Sequence, residues 1–365
     1  MVAFEVDDKG DIQERAFDSM TTPYEIDKTQ FPYGRGLDEQ FMHLLRYAIL
    51  APSTYNTQPW KFRLFDSGIA VYADYSRRLP VADANSRELL MSVGAAILNL
   101  RIAANHFGFE CSTEYNFSGD SERPIAFVTL RPTAPRATAY EELNKLFSAI
   151  TRRHTNRHPF LQARVPDVLM ARLANLGTGS DASVLLSTDP RLNGEVAALV
   201  ERAERQRLAT PEFRKELGDW IRPNATQKSD GIPGAAFGMS DVTSNLASWA
   251  AKTIDNGASR ALHDKHLCAE APALCVLYGE DSVPAWLSVG EVLQEVSLSL
   301  TRDGLQFSFF NMPIEIPEAR LALRELLGLK SWPQLLLRIG YSLEKPTPSP
   351  RRPVEECLIG NGHDE

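Results

Sequence analysis

Two apolar helical segments, 196 residues apart, constrain this 365-residue chain more than any other feature. In the first, residues 86–107, Val93, Ala96, Ile97, Leu100, Ala104 and Phe107 form one apolar stripe. Ile102 and Ala103 widen it, so both sides of the helix are expected to be buried. The second spans residues 284–302. There Ser288-Val289-Gly290 repeats Ser92-Val93-Gly94. In the same register Ile97 meets Leu293, Leu100 meets Val296, Ala104 meets Leu300, Gly108 meets Gly304 and Ser112 meets Ser308. Helix, glycine stop and following strand therefore recur together. Two amphipathic helices can agree this far by chance. The aligned glycines, and an apolar strand before each helix, point instead to duplication. The expectation is an α+β chain of two similar halves with mostly antiparallel sheets flanked by helices. The two helices would pack along a pseudo-two-fold seam, so that one polypeptide mimics a homodimer.

Composition narrows the function classes. The formal net charge of −8 argues against a broad nucleic-acid surface but leaves room for a local basic pocket. No apolar run approaches the roughly 20 residues that cross a bilayer, so no membrane role is expected. The acidic start MVAFEVDDKG lacks the pattern of a secretory signal. Cys111, Cys268, Cys275 and Cys357 are scattered, with no CxxC pair, and read as reduced thiols of a cytoplasmic protein.

Along the chain, residues 1–36 read as an extended arm. A helix follows from Asp38 and stops at Ala51-Pro52, because a residue before proline is pushed out of the α region. Trp60–Phe65 alternates like a strand, with Ile69–Tyr72 as its hairpin mate. Ile125–Leu130 and residues 272–278 read as further strands, and 133–138 as a connector. Helices are expected from Tyr140 to Arg153, over 166–176 and over 190–207. Gly218, Pro223, Gly231, Pro233, Gly234 and Gly238 punctuate 218–240 without clear periodicity. Such a stretch suits a functional lid. The expected division is an arm (1–36), a first half (37–145) and a second half (146–360), with a lid inserted at about 208–255.

Two basic clusters stand out in an acidic chain: Arg152, Arg153 and Arg157, and Arg351-Arg352. Guanidinium forks suit phosphate oxygens, and Thr155 adds a hydroxyl beside the first cluster. An isolated arginine pair is more often a solvated patch. Other candidates are weaker. His263-x-x-His266 lacks a third ligand at zinc spacing, so no metal is expected. The five tryptophans read as packing residues, and Arg205 and Arg207 as a solvated helix face. Glu315 could act on a substrate or merely shape a turn.

Ala51-Pro52-Ser53-Thr54-Tyr55-Asn56-Thr57-Gln58-Pro59-Trp60 resembles the Pro-Ser-x-x-Asn-x-Gln-Pro-Trp loop of the FMN-dependent nitroreductase superfamily. Arg153-His154-Thr155-Asn156-Arg157 is similar to that family's phosphate- and ribityl-binding segment. Asn311-Met312-Pro313-Ile314-Glu315 resembles its turn whose backbone N–H faces flavin N5, and Arg351-Arg352 its C-terminal basic motif. Arg87-Glu88-Leu89 through Asn99-Leu100-Arg101 resembles a pattern of the tandem, single-chain Acg-type branch. The resemblance implies a nitroreductase-like fold duplicated in one chain. Its cofactor residues would be Pro52, Ser53, Thr54, Asn56, Arg153, His154, Thr155, Arg157, Pro313, Ile314, Glu315, Arg351 and Arg352. Because the first motif occurs only in the first half and the others only in the second, it implies one FMN per chain, held between the halves of a monomer, with a weak dimer as the alternative.

The implied activity is ping-pong hydride transfer from NADPH or NADH, as transient reductant, to a nitro, quinone or similar electron-poor small molecule. No acid–base side chain is required, and the lack of a GxGxxG motif fits a nicotinamide that only stacks on the flavin. The alternative is a protein that sequesters FMN under a closed lid with little or no turnover, as the covered flavin of some relatives suggests.

Overall fold

The structure, a computed structural model, describes residues 3–6, 12–15, 22–118, 120, 122–133, 141–255 and 257–360. Two four-stranded sheets organise it, and every strand pairing in both is antiparallel. The first sheet runs Trp60–Phe65, Gly68–Ala73, Ala126–Pro132, Phe109–Tyr115 across its width. The second runs Ala182–Ser187, Ala273–Gly279, Trp332–Gly340, Gln306–Phe309. Numbered along the chain, both have the spatial order 1-2-4-3, and in both a 20-residue helix joins the second strand to the third.

Those helices, Arg87–His106 and Val283–Arg302, form the seam between the sheets. Their contact is reciprocal. A Cβ on Gly94 would lie 2.3 Å from the Leu287 carbonyl oxygen, and one on Gly290 would lie 2.0 Å from that of Met91. Only hydrogen side chains let the backbones approach so closely. The first seam helix is buried on nearly all faces. Its own length and apolarity suffice to cross a membrane, contrary to the sequence reading, yet it lies inside the protein. A buried amide chain crosses the seam: Gln294 Nε2 donates to Asn99 Oδ1, and Asn99 Nδ2 to the Tyr47 carbonyl.

The halves differ in one connection. Two residues, 66–67, join the first two strands of the first sheet. In the second sheet the same connection is residues 188–272, which carry the helices Pro190–Ala209, Pro211–Trp220, Asp241–Thr253 and Gly257–Ala269. The covering segment is thus part of a longer helical excursion than the expected 208–255. It also contains more regular structure than the glycines of 218–240 suggested. Ile221–Arg222 and Ile232–Pro233 pair as two short parallel strands within it.

Other boundaries agree to within a few residues, with exceptions. The helix expected from Tyr140 to Arg153 is two short turns, Glu141–Asn144 and Phe147–Ile150, and Tyr140 lies outside the described residues, as do 134–138 of the expected connector. Within the expected arm, Ala3–Val6 pairs with Ile12–Arg15 as a small hairpin. After the last strand the chain crosses back to the first sheet. There Leu358 bridges Phe62, and the Ile359 N–H donates to the Phe62 carbonyl at 2.8 Å.

Candidate functional site

The loop after the Leu37–Ala48 helix forms the floor of a large cavity. Its backbone is strained: Tyr55, Asn56 and Gln58 have φ of 51°, 56° and 52° without being glycine. Side chains hold it there. Asn56 Nδ2 donates to the Gly231 carbonyl at 3.0 Å and to that of Pro350 at 2.9 Å, while the Gly231 N–H donates to the Asn56 carbonyl. Gln58 Nε2 donates to the Ser229 carbonyl at 2.8 Å, and Gln58 Oε1 accepts the Arg352 N–H at 2.8 Å. The loop is thereby tied both to the covering segment and to the C-terminal tail.

One end of the cavity is cationic. Arg153 is 2 % exposed, and its Nε and Nη1 have no hydrogen-bond partner among the described residues; Nη2 donates to the Leu50 carbonyl. Arg351 donates to Asn56 Oδ1 and to the Leu50 and Ala51 carbonyls, leaving Nε without a partner among the described residues. Burial, then the Arg351 charge, pulls Arg153 down to about 10. His154 packs edge-on to Tyr24, and burial with the same two arginines lowers it to about 3, so it is neutral at physiological pH.

The rest of the lining is acidic and aromatic. Glu88, Glu204, Asp264 and Glu315 face the cavity with Tyr55, Phe237 and Asn311. Burial raises all four carboxyls, Glu204 to about 7. Residues of the covering segment, Leu217, Ile232 and Phe237, close the opposite wall.

The structure brings Pro52, Ser53, Thr54, Asn56, Arg153, His154, Thr155, Arg157, Glu315 and Arg351 to this one cavity. Arg157 occupies a different part of it from the other two arginines. It lies over the Phe237 ring, and its charged neighbours are Arg260 and Asp264. Ser53 Oγ is engaged within its own loop, accepting the Gln58 N–H, and Thr54 Oγ1 donates to Glu88 Oε2 at 2.6 Å.

Three expectations need correction. Arg352 does not line the cavity; its guanidinium donates to the Gln58 and Glu356 carbonyls, pinning the tail to the loop. The 313–315 turn does not offer a free main-chain donor. Pro313 has no N–H, the Ile314 and Glu315 N–H groups both donate to the Asn311 carbonyl, and Pro313 and Ile314 are buried away from the lining. Arg207 is not on a solvated face: it bonds the Val81 and Ala82 carbonyls and places Nε 3.4 Å from Glu315 Oε2.

Sequence reasoning missed Glu204, Arg260, Asp264 and Phe237 as lining residues. They come from the helical excursion, whose packing onto the site leaves no short-range pattern. Trp249, read as a packing residue, is 59 % exposed. His266 pairs with Glu270 on the surface, and among the described residues no group of three or more His, Cys, Asp or Glu could hold a metal ion.

No family model matches the chain. It is 26 % identical over 317 residues to "Putative NAD(P)H nitroreductase acg" of Mycobacterium tuberculosis, covering 86 % of this chain and 93 % of that protein. The chain is a homologue of that mycobacterial protein. It is also 24 % identical over 344 residues to "Probable NAD(P)H nitroreductase PigM" of Serratia sp., covering 89 % of this chain and 95 % of that one. Among solved structures, the FMN- and NADPH-dependent nitroreductase NfnB of sphigopyxis sp. is matched with a TM-score of 0.40 and 19 % identity, over 60 % of this chain and 99 % of that one.

Proposed function

We propose that this chain is an FMN-dependent NAD(P)H oxidoreductase that reduces nitro compounds, quinones or similar electron-poor small molecules. One observation carries the reading: two buried arginines, Arg153 and Arg351, share a cavity wall with three guanidinium nitrogens left without partners among the described residues. Buried cations are costly unless an anion completes them. Phosphate oxygens fit paired guanidinium forks, so a phosphate-bearing cofactor suits this wall. Arg153, Arg351 and Thr155 would hold the phosphate, with Pro52, Ser53 and Arg157 elsewhere along the cofactor. Bound there, FMN supplies the redox chemistry, accepting an electron pair from NAD(P)H and passing it on. The chain's own residues position the ring system and exclude water. The nitroreductase names of the relatives support the same donor.

In this reading residues 37–145 and 146–360 are a duplicated unit, and the chain works as a monomer with one site. It operates in a reducing cytosol, which suits four unpaired cysteines.

The tie between loop and covering segment favours a second reading, flavin sequestration. Asn56 and Gly231 bond each other in both directions, and Asp230 accepts from Arg77 and Arg222. A cover held so firmly would leave nicotinamide no room to stack. Anaerobic mixing of the purified yellow protein with NADPH or NADH separates the two. Rapid bleaching is expected for the oxidoreductase; a spectrum that stays oxidised would refute it in favour of storage.

A further inference from the structure

The acidic part of the cavity has chemistry that hydride transfer alone does not use. Glu315 sits on the turn Met312–Glu315, beside the Pro190–Ala209 helix and the Trp332–Gly340 strand. Its side chain is 7 % exposed and lines the cavity. Among the described residues Oε2 accepts no hydrogen bond; the cation beside it is Arg207, whose Nε lies 3.4 Å away while its Nη2 is committed to two backbone carbonyls. Glu88, from the first seam helix, lines the same cavity and is the acidic group that acts most strongly on Glu315, and the contrast between them is informative. Glu88 accepts from Thr54 Oγ1 at 2.6 Å, Arg87 Nη2 at 3.3 Å and Asn311 Nδ2 at 3.4 Å. Three side-chain donors stabilise a carboxylate at Glu88, whereas Glu315 has only the Arg207 ion pair at 3.4 Å and no side-chain hydrogen bond among the described residues.

The other charged groups around Glu315 do not alter this ranking. Arg87 spends Nη1 on Gln334, and Glu204 adds a further negative neighbour from the Pro190–Ala209 helix. From the adjoining helix and strand, Arg320 and Gln334 turn to Asp281, and Arg338 to the His158 carbonyl. Tyr55 also reaches this region, with a buried hydroxyl that has no partner among the described residues. Two carboxyls in one low-dielectric site do not both ionise readily. The proton therefore belongs on Glu315 and the charge on Glu88, and burial together with the Glu88 charge pushes the Glu315 carboxyl well above the usual range.

We propose that Glu315 is the proton donor of this cavity for two-electron acceptors of the quinone class. The proposal rests on the oxidoreductase reading above. The acceptor takes an electron pair as hydride from the reduced flavin, and its carbonyl oxygen, gaining negative charge, takes the proton. The new O–H bond forms as the Glu315 O–H bond breaks. The electron pair left behind makes a carboxylate facing Arg207, and water reprotonates it when the product leaves. Quinone becomes hydroquinone, with one hydride and one proton consumed.

The test uses the flavin-loaded full chain and Glu315→Gln, which keeps the shape and hydrogen-bonding reach. Dithionite reduces the flavin whatever the cover does to nicotinamide, so the oxidation half can be read alone with two probes. Benzoquinone needs a proton; ferricyanide takes one electron at a time and needs none. Benzoquinone reoxidation is expected to fall about 10²–10⁴-fold in Glu315→Gln with ferricyanide unchanged, the usual worth of a positioned acid. Glu315→Asp should recover part of the benzoquinone rate. Infrared difference spectra at neutral pH give a readout without turnover: wild type minus Glu315→Gln should show a carboxylic-acid C=O band belonging to Glu315. An unchanged benzoquinone rate, an equal loss with both oxidants, or a difference spectrum without an acid band would overturn the proposal. A wild-type chain that binds no flavin fails the oxidoreductase reading itself and takes this one with it. Bound flavin that NAD(P)H cannot bleach, but that loses benzoquinone reactivity selectively in the variant, supports the proton donor while refuting the nicotinamide step.

Discussion

Arg153 offers the sharpest check on the cationic wall. Two of its guanidinium nitrogens have no partner among the described residues, against one in Arg351. Hydrogen bonds to a charged partner contribute about 1.5–3 kcal/mol each. Arg153→Ala should therefore cost FMN binding about 3 kcal/mol or more, a loss on the order of a hundredfold. The loss must fall on the phosphate alone. Riboflavin has the same ring and ribityl chain without it, so its affinity should barely change, and the preference for FMN over riboflavin should collapse. Flavin fluorescence quenching on titration into the apoprotein measures both. A second sign separates a ligand-binding arginine from a structural one. In the apoprotein this side chain is a buried cation held below its ordinary value by burial and by Arg351. Its removal should leave the urea midpoint of the apoprotein unchanged or raise it. Equal losses for FMN and riboflavin, or an apoprotein that unfolds more easily without changed selectivity, would refute the phosphate assignment.

Three further outcomes follow from packing, titration and chain count. Gly290→Ala places a Cβ 2.0 Å from the Met91 carbonyl oxygen and should destabilise the chain by about 1–3 kcal/mol or more, whereas Gly194→Ala, with nothing within 4 Å, should not; urea melts of both decide it. His154 is ordinarily near 6.5 and is lowered to about 3, so its contribution is complete above pH 6.5 and is lost as pH falls toward 3; apoprotein His154→Gln should show a shallower acid slope of stability than the wild type. If both walls of the site come from one chain, flavin stoichiometry should be one per 40.6 kDa and scattering should give a monomer of that mass.

What the sequence revealed and what it hid divide along a physical line. The seam helices were legible because their apolar residues recur at helical spacing and their glycines align. The close backbone approach that made those glycines necessary is the same contact seen at Gly94 and Gly290. The loop from Pro52 to Trp60 was legible as a motif, but its positive φ angles at three non-glycine residues were not, because Ser229 and Gly231, which bond to it, belong to a remote covering segment that no local pattern connects to it. Arg351 and Arg352 looked equivalent in sequence. One residue of register turns them to opposite roles, Arg351 toward the cavity and Arg352 into the tail's anchor. The carboxyls Glu204 and Asp264 were invisible for a related reason: each sits on a helix whose remaining residues read as an ordinary amphipathic surface.

The strained loop also links the cover to the phosphate wall. Asn56 gives its amide hydrogens to Gly231 in the cover and Pro350 in the tail, while its Oδ1 accepts from Arg351. Opening the cover removes the Gly231 contacts and relaxes one of the restraints that keep Asn56 at φ 56°, so the Arg351 fork loses its alignment at the same time. Ligand binding at Arg351 and closure of the cover should therefore favour each other, with equal coupling in both directions. Asp230 is the residue on which to pull. It is bound by Arg77 and by Arg222, whose guanidiniums both lie over the Trp220 ring, at 5.5 and 5.6 Å. Asp230→Asn leaves the shape but removes the charge; at a partly exposed site that should cost about 1–2 kcal/mol of closure, or a 5–30-fold rise in the open population. The expected result is faster flavin release and a weaker apparent FMN affinity, although Asp230 touches no cavity wall. Release that stays as slow as in the wild type would mean that the cover and the arginine wall are independent, and the strained loop would then be structural only.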